Sequence, residues 1–404
     1  MPRKAIAVLT IAALPFVPAV RAAAQTVTLD KGVSISGQGS TFVSNFLEQC
    51  KVDAKNEFGI NVAYQPTGSG AGRSAYLAGT NDFGASDVPF PAADLPKANQ
   101  KPFVYIPVAI GGIAVIYKVP GVTDLKLSGP TLAGIFSGKI QKWDAEQIAK
   151  DNPTAKLPGE VIRVIVRSDS SGTSNVFSDY LATTGKGAWT AGAQNTFPVP
   201  SGNGIAQRGS DGVADYVAGP QGNFAITYAE ASFAEQRKLS IAKVINTAGN
   251  AVDPAPAGIT DALAAAGVND DGTLILNFQT TSPKAYPIST TAYVIAPQTI
   301  DKAKGDILRT FLTYSLTECQ KKADKAGYAP LPANLTQLGL AAVAKINPGS
   351  GDVPVAKGAA APVSTAAPTT LAAAVTTAAP DTKAPTKKAK VTTKKSVKKT
   401  TKKK

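Results

Sequence analysis

The 404-residue sequence contains no histidine. That absence excludes Ser-His-Asp and Cys-His catalysis, histidine zinc ligation and the side chain most often used as a general base near neutral pH. Cysteine is nearly absent as well. Cys50 and Cys319 are too few for a thiolate metal cluster, though in an exported chain two could pair. Long apolar runs are also missing. The one sustained run, Ala5 to Val20, is short for a membrane span and is interrupted by Pro15 and Pro18. Arg3 and Lys4 precede it and Ala22-Ala23-Ala24 follow it, so residues 1–24 read as a secretory signal cleaved before Gln25. No cysteine stands near that point, so a lipoprotein signal is not supported.

Net charge is scarce in most of the chain despite a formal total of +14. Residues 381–404 hold eleven lysines and one aspartate, and Arg3, Lys4 and Arg21 add three more positive charges, which leaves the body near +1. The body is therefore not a basic, nucleic-acid-type domain. Residues 349–385 are rich in Ala, Pro and Thr and read as a linker. Residues 386–404 are a Lys/Thr/Ser tail expected to be disordered by self-repulsion. Such a tail either binds an anionic wall polymer, nucleic acid or a membrane surface through screened charge attraction, or is a solvated spacer without a partner. Nucleic acid is not expected as its physiological partner.

Between signal and linker, strand-like and helix-like segments alternate, which indicates an α/β domain with a largely parallel sheet. Val33–Ser36 leads through Gly37-Gln38-Gly39-Ser40-Thr41 into a helix whose Phe42, Phe46, Leu47 and Cys50 share a face, closed by Gly59. A strand at Ile60–Tyr64, a glycine-rich turn Pro66–Gly72 and a helix from Arg73 follow. Apolar runs 103–109 and 113–119 flank Gly111-Gly112, a pair suited to a bend or hinge. Strand Val161–Val166 hands over to a helix Thr173–Leu181 through Arg167-Ser168-Asp169-Ser170-Ser171-Gly172. Asp211–Val217 reads as a helix, 247–273 as irregular, Pro287–Ile295 as a late strand and Asp301–Lys322 as a helix.

Three turns share one chemistry: Gly39-Ser40-Thr41, Gly68-Ser69-Gly70 and Ser171-Gly172-Thr173 each place a hydroxyl and a glycine before a helix. The first amides of a helix lack internal partners and sit at the positive end of its dipole. Glycine allows close approach and the hydroxyl adds a directed donor. The turns are either ordinary caps or, with Arg167 as a fixed cation, a convergent site for a tetrahedral oxyanion. Asp87 is either a turn residue or an acceptor that favours a protonated oxyanion over a fully ionised one.

Four motifs, in order, are Gly37-Gln38-Gly39-Ser40-Thr41-Phe42, Tyr64–Gly70, Asp82-Phe83-Gly84-Ala85-Ser86-Asp87 and Arg167–Thr173. They resemble those of the phosphate-binding proteins of bacterial phosphate ABC transporters, the PstS family. Lys139–Asp144 and Tyr286–Thr291 add to the likeness, which covers roughly residues 33–340. The resemblance implies a two-lobed class II periplasmic-binding-protein fold over residues 25–348 with phosphate held in the cleft between lobes. Lobe 1 would comprise about 30–110 and 285–345, and lobe 2 about 111–284. It implies Thr41, Phe42, Ser69, Asp87, Arg167, Ser171, Gly172 and Thr173 as phosphate ligands, with Asp169 holding Arg167 in place. Cys50 and Cys319 would both fall in lobe 1, either bonded or as free buried thiols. The chain would be exported, would need no cofactor or metal, and would deliver phosphate to a membrane permease without catalysing a reaction. The alternatives are a surface interaction protein tethered by its tail and, less favoured without histidine, a phosphate-ester hydrolase. Ser170 and Gly70-Ala71-Gly72 depart from the family pattern without removing a required donor.

Overall fold

A computed structural model describes residues 26–264 and 266–356. The expected secretory signal (1–24), residues 357–385 of the expected linker and the expected lysine tail (386–404) lie outside the described residues.

The first elements follow one another as strand, turn and helix. β1 (Ser34–Gly39) leads to α1 (Ser44–Phe58), β2 (Asn61–Pro66) to α2 (Ser69–Ala78), and β3 (Phe83–Ser86) precedes the 16-residue strand β4 (Phe103–Lys118). Gly59 ends α1 in the left-handed conformation, φ 73°, donating its N–H to the Lys55 carbonyl. Next come α3 (Gly129–Phe136), β5 (Arg163–Arg167), α4 (Gly172–Thr184), β6 (Gly204–Gln207), α5 (Gly209–Ala218), β7 (Ala225–Glu230) and β8 (Ser240–Ile245). The chain closes with α6 (Pro256–Leu263), β9 (Ser289–Pro297), α7 (Lys302–Leu316) and α8 (Ala333–Val343).

The main sheet runs β2-β1-β3-β9-β4-β7-β5-β6. β4 is shared between its two halves. Phe103 to Gly112 pair antiparallel with β9, and Ile113 to Lys118 pair antiparallel with β7. The outer pairs β1–β2, β1–β3, β5–β6 and β5–β7 are parallel. The sheet is thus mixed rather than largely parallel, because at its centre β9 lies antiparallel to both β3 and β4, and β4 antiparallel to β7. A strand buried on both faces reads as a continuous apolar run, which hides its direction.

Four local expectations change. Gly111 and Gly112 do not break the strand; they stay in register with Thr290 and Ser289. They are glycines because side chains crowd them: an added Cβ would meet the Phe42 ring at 2.9 Å and Pro254 at 2.6 Å. The helix expected from Arg73 begins at Ser69, so Gly70 and Gly72 are helical rather than turn residues. A Cβ on Gly72 would come within 2.6 Å of the Ala85 carbonyl, so glycine is what lets α2 press against β1 and β3. Helix α6 occupies part of the stretch read as irregular, and α7 ends at Leu316 before a 3-10 turn over Glu318–Lys322.

Each half of the sheet carries its own aromatic packing. In the first, Phe42 and Phe46 pack on Tyr328, with ring centroids 6.1 and 5.7 Å away. In the second, Phe177 stacks on Tyr228 at 4.5 Å and meets Phe136 edge-on at 4.8 Å. Trp143 is fully buried and donates its indole N–H to the Phe224 carbonyl at 3.0 Å. Cys50 on α1 and Cys319 in the turn after α7 form a disulfide, Cα atoms 5.6 Å apart. Asp352 lies against the start of the described chain, its carbonyl accepting from the Val27 N–H at 2.8 Å.

Candidate oxyanion-binding site

Two groups of turns face each other at the β4 crossing. From the first half, Ser40-Thr41-Phe42 follow β1 and are buried. The Phe42 ring is committed to the core and its carbonyl accepts from the Tyr328 hydroxyl, so its contribution to a site is backbone. Gly68, at φ 100°, begins the second turn; a Cβ there would collide with the Asp169 carboxylate. Ser69 opens α2, and its Oγ accepts from the Asp87 N–H at 3.3 Å. Asp87 follows β3 and is 3% exposed.

From the second half, β5 ends at Arg167, which is 1% exposed. Ser171 caps α4, its Oγ accepting from the Ser174 N–H at 3.1 Å. The Ser171 N–H is itself committed to the Asn195 carbonyl at 2.8 Å, so the residue can offer a ligand its hydroxyl but not its amide. Gly172 follows, and a Cβ there would meet Ser69 Oγ at 2.7 Å and Asp87 Cβ at 2.8 Å. It is glycine because the two groups of turns touch at this point. Gly70 also donates to the Ser170 carbonyl at 2.8 Å, and Thr173 Oγ1 donates to Asp87 Oδ2 at 2.9 Å.

The charges are arranged unevenly. Asp169 grips Arg167 through two bonds, Nε–Oδ1 at 2.7 Å and Nη2–Oδ2 at 2.5 Å. It also accepts from the Gly209 N–H at 2.9 Å. Burial would push the Asp169 carboxyl up, but the Arg167 bonds and charge and the Gly209 N–H outweigh it and hold it below its ordinary range. Asp87 behaves oppositely. Burial pushes it up, and the hydroxyls of Ser40 and Thr173 with the more distant charges of Arg167 and Arg73 only partly oppose that. Arg73 bonds Ser86 Oγ at 2.8 Å rather than Asp87, and its own burial lowers its pKa.

The structure therefore brings Thr41, Ser69, Asp87, Arg167, Gly172 and Thr173 to one locus, with Asp169 behind Arg167. A cavity of about 250 Å³ borders it, lined by Asp87, Val88, Asn175, Asp179, Leu274 and Tyr293 among others. Polar donors around one cation and one acceptor can hold an oxyanion that itself carries a hydrogen.

Residues 20–318 match the family described as a PBP superfamily domain. The phosphate-binding protein PstS of Xylella fastidiosa (strain Temecula1) is 35% identical over 315 residues, covering 76% of this chain and 84% of that protein. PstS 2 of Mycobacterium tuberculosis is 34% identical over 330 residues, covering 78% and 87%. The chain belongs to the PstS family. Its fold is shared with solved PBP-type structures. The phosphate-binding protein from Stenotrophomonas maltophilia superposes with a TM-score of 0.63 at 20% identity, over 80% of this chain and all of that one.

In this PstS-family chain the site includes residues that sequence reading did not select. Ser210, fully buried at the start of α5, accepts from Arg167 Nη1 at 3.3 Å and lies 2.8 Å from Thr41 Oγ1. Its N–H donates to that same Oγ1 at 3.2 Å. Gly209-Ser210 carries the glycine-hydroxyl signature of the other turns, but it falls outside a helix read from Asp211, two residues after the observed start. Ser40, read only as part of a turn, donates its hydroxyl to Asp87 Oδ1. Arg73, read as a helix start, is a second buried arginine whose charge reaches Asp87.

Proposed function

We propose that this chain is an extracytoplasmic substrate-binding protein that captures inorganic phosphate and delivers it to an ABC transporter permease. Phosphate is held between lobe 1, about 30–110 and 285–345, and lobe 2, about 111–284. Thr41, Phe42, Ser69 and Asp87 contact it from lobe 1, and Arg167, Ser171, Gly172 and Thr173 from lobe 2. Asp169 aims Arg167. The observation that carries this reading is the opposition of a buried arginine and a buried, unpaired carboxylate across one set of hydroxyl and amide donors. Arg167 supplies attraction for any oxyanion. Asp87 adds preference for one with a hydrogen to give.

The chain binds without catalysing a reaction and is exported by residues 1–24. Among the described residues no helix is long and apolar enough to cross a membrane. The lysine tail, whose partner we take to be an anionic envelope polymer, holds the protein near its permease; salt-sensitive attachment to envelopes, lost on deleting 381–404, is the test. The central experiment is a calorimetric titration of the mature chain with phosphate, arsenate and sulfate. Tight binding of phosphate with weak or absent sulfate binding is expected, and equal affinity for phosphate and sulfate overturns the reading. Release of phosphate from a chromogenic ester would overturn the non-catalytic assignment.

A further inference from the structure

We propose that Ser40 is a specificity-determining residue of this site: its hydroxyl fixes Asp87 as an acceptor-only carboxylate, so that Asp87 selects oxyanions bearing a proton. The inference rests on the phosphate-binding reading above.

The two oxygens of Asp87 are occupied differently. Ser40 Oγ–H donates to Oδ1 and Thr173 Oγ1–H donates to Oδ2 at 2.9 Å. Neither arginine bonds it: Arg167 is turned to Asp169 and Ser210, and Arg73 to Ser86 and Asn195. The hydrogen bonds that oppose protonation of this deeply buried carboxylate therefore come from two neutral hydroxyls. The other groups facing it are Ser69 and Gly172 at contact, Tyr64 and Tyr328 through their charge interaction with it, and Asp179 and Tyr293 across the adjoining cavity. Among these groups only Arg73 and Arg167 are cationic.

Thr173 and Ser40 cannot play the same part once an anion arrives. A hydroxyl has a single hydrogen to give. If Thr173 donates to the anion, it releases Oδ2, and the P–O–H of the ligand donates there instead. Ser40 is on no ligand face in the proposed set, so its hydrogen stays on Oδ1. It thereby keeps the carboxylate oriented and resists its protonation. Without it, Asp87 protonates more readily and becomes a donor. A donor at this position would welcome a fully ionised oxyanion, and discrimination would fall.

The substitution that tests this is clean. Ser40 N–H donates to the Ala85 carbonyl at 2.9 Å and the Ser40 carbonyl accepts from Tyr64 at 2.7 Å, and neither bond uses the side chain. Phosphate and sulfate affinities of wild type and Ser40→Ala are measured by calorimetry at pH 5.5, 6.5 and 8. The variant is expected to lose roughly ten- to a hundredfold of its preference for phosphate over sulfate, the range a hydrogen bond to a charged group covers. The loss is expected to be greatest at acid pH, with sulfate affinity rising as pH falls. Ser40→Thr restores the preference. A purely structural role would weaken both anions alike with no pH dependence; that result, or an unchanged preference at every pH, overturns the proposal. Should Ser40→Ala fail to fold, Ser40→Cys keeps the volume with a weaker donor and is expected to lose an intermediate amount, and an unchanged preference again overturns it. Wild type that binds no phosphate would instead overturn the function itself.

Discussion

Asp87 and Asp169 lie on opposite sides of one site, and their surroundings drive them in opposite directions. Asp169 belongs to the half of the sheet built on β5. It shares two bonds with Arg167 and a third with the Gly209 amide, and is held below its ordinary pKa. Asp87 belongs to the half built on β3, forms no ion pair among the described residues, and is pushed up by burial. A paired carboxylate can only support its cation. An unpaired one bonded to hydroxyls is available to judge a ligand. The halves also differ in covalent reinforcement, since the Cys50–Cys319 bond joins two segments of the half that carries Asp87.

The largest test of this contrast removes that reinforcement. Reduction of Cys50–Cys319, which closes 269 residues of separation, is expected to cost at most about 5.6 kcal/mol of stability, the chain-entropy ceiling. Denaturant unfolding with and without reductant measures it. Next, Arg167→Ala is expected to weaken phosphate binding on the order of a hundredfold, or about 3 kcal/mol, and to leave Asp169 buried without its partner. A titration showing full affinity would exclude Arg167 as a ligand.

Stability against pH should split the two aspartates by sign. The folded-state pKa of Asp87 is raised, so the native state binds more protons across that window and stability falls as pH rises through it. Asp87→Asn should remove this slope and raise neutral stability on the order of 1 kcal/mol. The folded-state pKa of Asp169 is lowered, so its contribution is present above the unfolded value and is lost as pH falls through the folded one. Asp169→Asn should lower neutral stability and flatten the acid limb. Thermal melts from pH 3 to 8 read both, and slopes of the same sign would refute the contrast.

Binding should split them as well, with smaller effects. Asp87→Asn is expected to change phosphate affinity less than tenfold while relaxing discrimination against sulfate. Competition titration with unchanged selectivity would remove Asp87 as proton acceptor. Asp169→Asn is expected to change affinity least. Arg167 loses its aim but no longer shares its charge, and the two effects offset. A loss beyond a hundredfold in the same titration would show that aim dominates.

Much of this site was legible because a turn before a helix has local causes. Glycine and hydroxyl residues at 39–41, 68–70 and 171–173 signal close backbone approach and capping without any long-range information. Convergence was not legible from those turns one at a time. It was reached through the order of four motifs that resemble a known family. Ser210 escapes the sequence reading although Gly209-Ser210 has the same local signature, because a helix read from Asp211 starts two residues late and leaves the pair outside it. Ser40 was passed over because its partner, Asp87, lies 47 residues away.

The sequence alone determined the alternation of strands and helices, the absence of histidine chemistry, and the residue types at each turn. These follow from local propensity and composition. Only the tertiary structure decided that β4 runs unbroken through Gly111-Gly112, that Gly172 meets Ser69 and Asp87, and that Asp169 is paired while Asp87 is not. Those outcomes depend on which distant backbone occupies the space beside a residue. Burial and charge partners, which set a carboxylate's protonation, exist only once that space is filled.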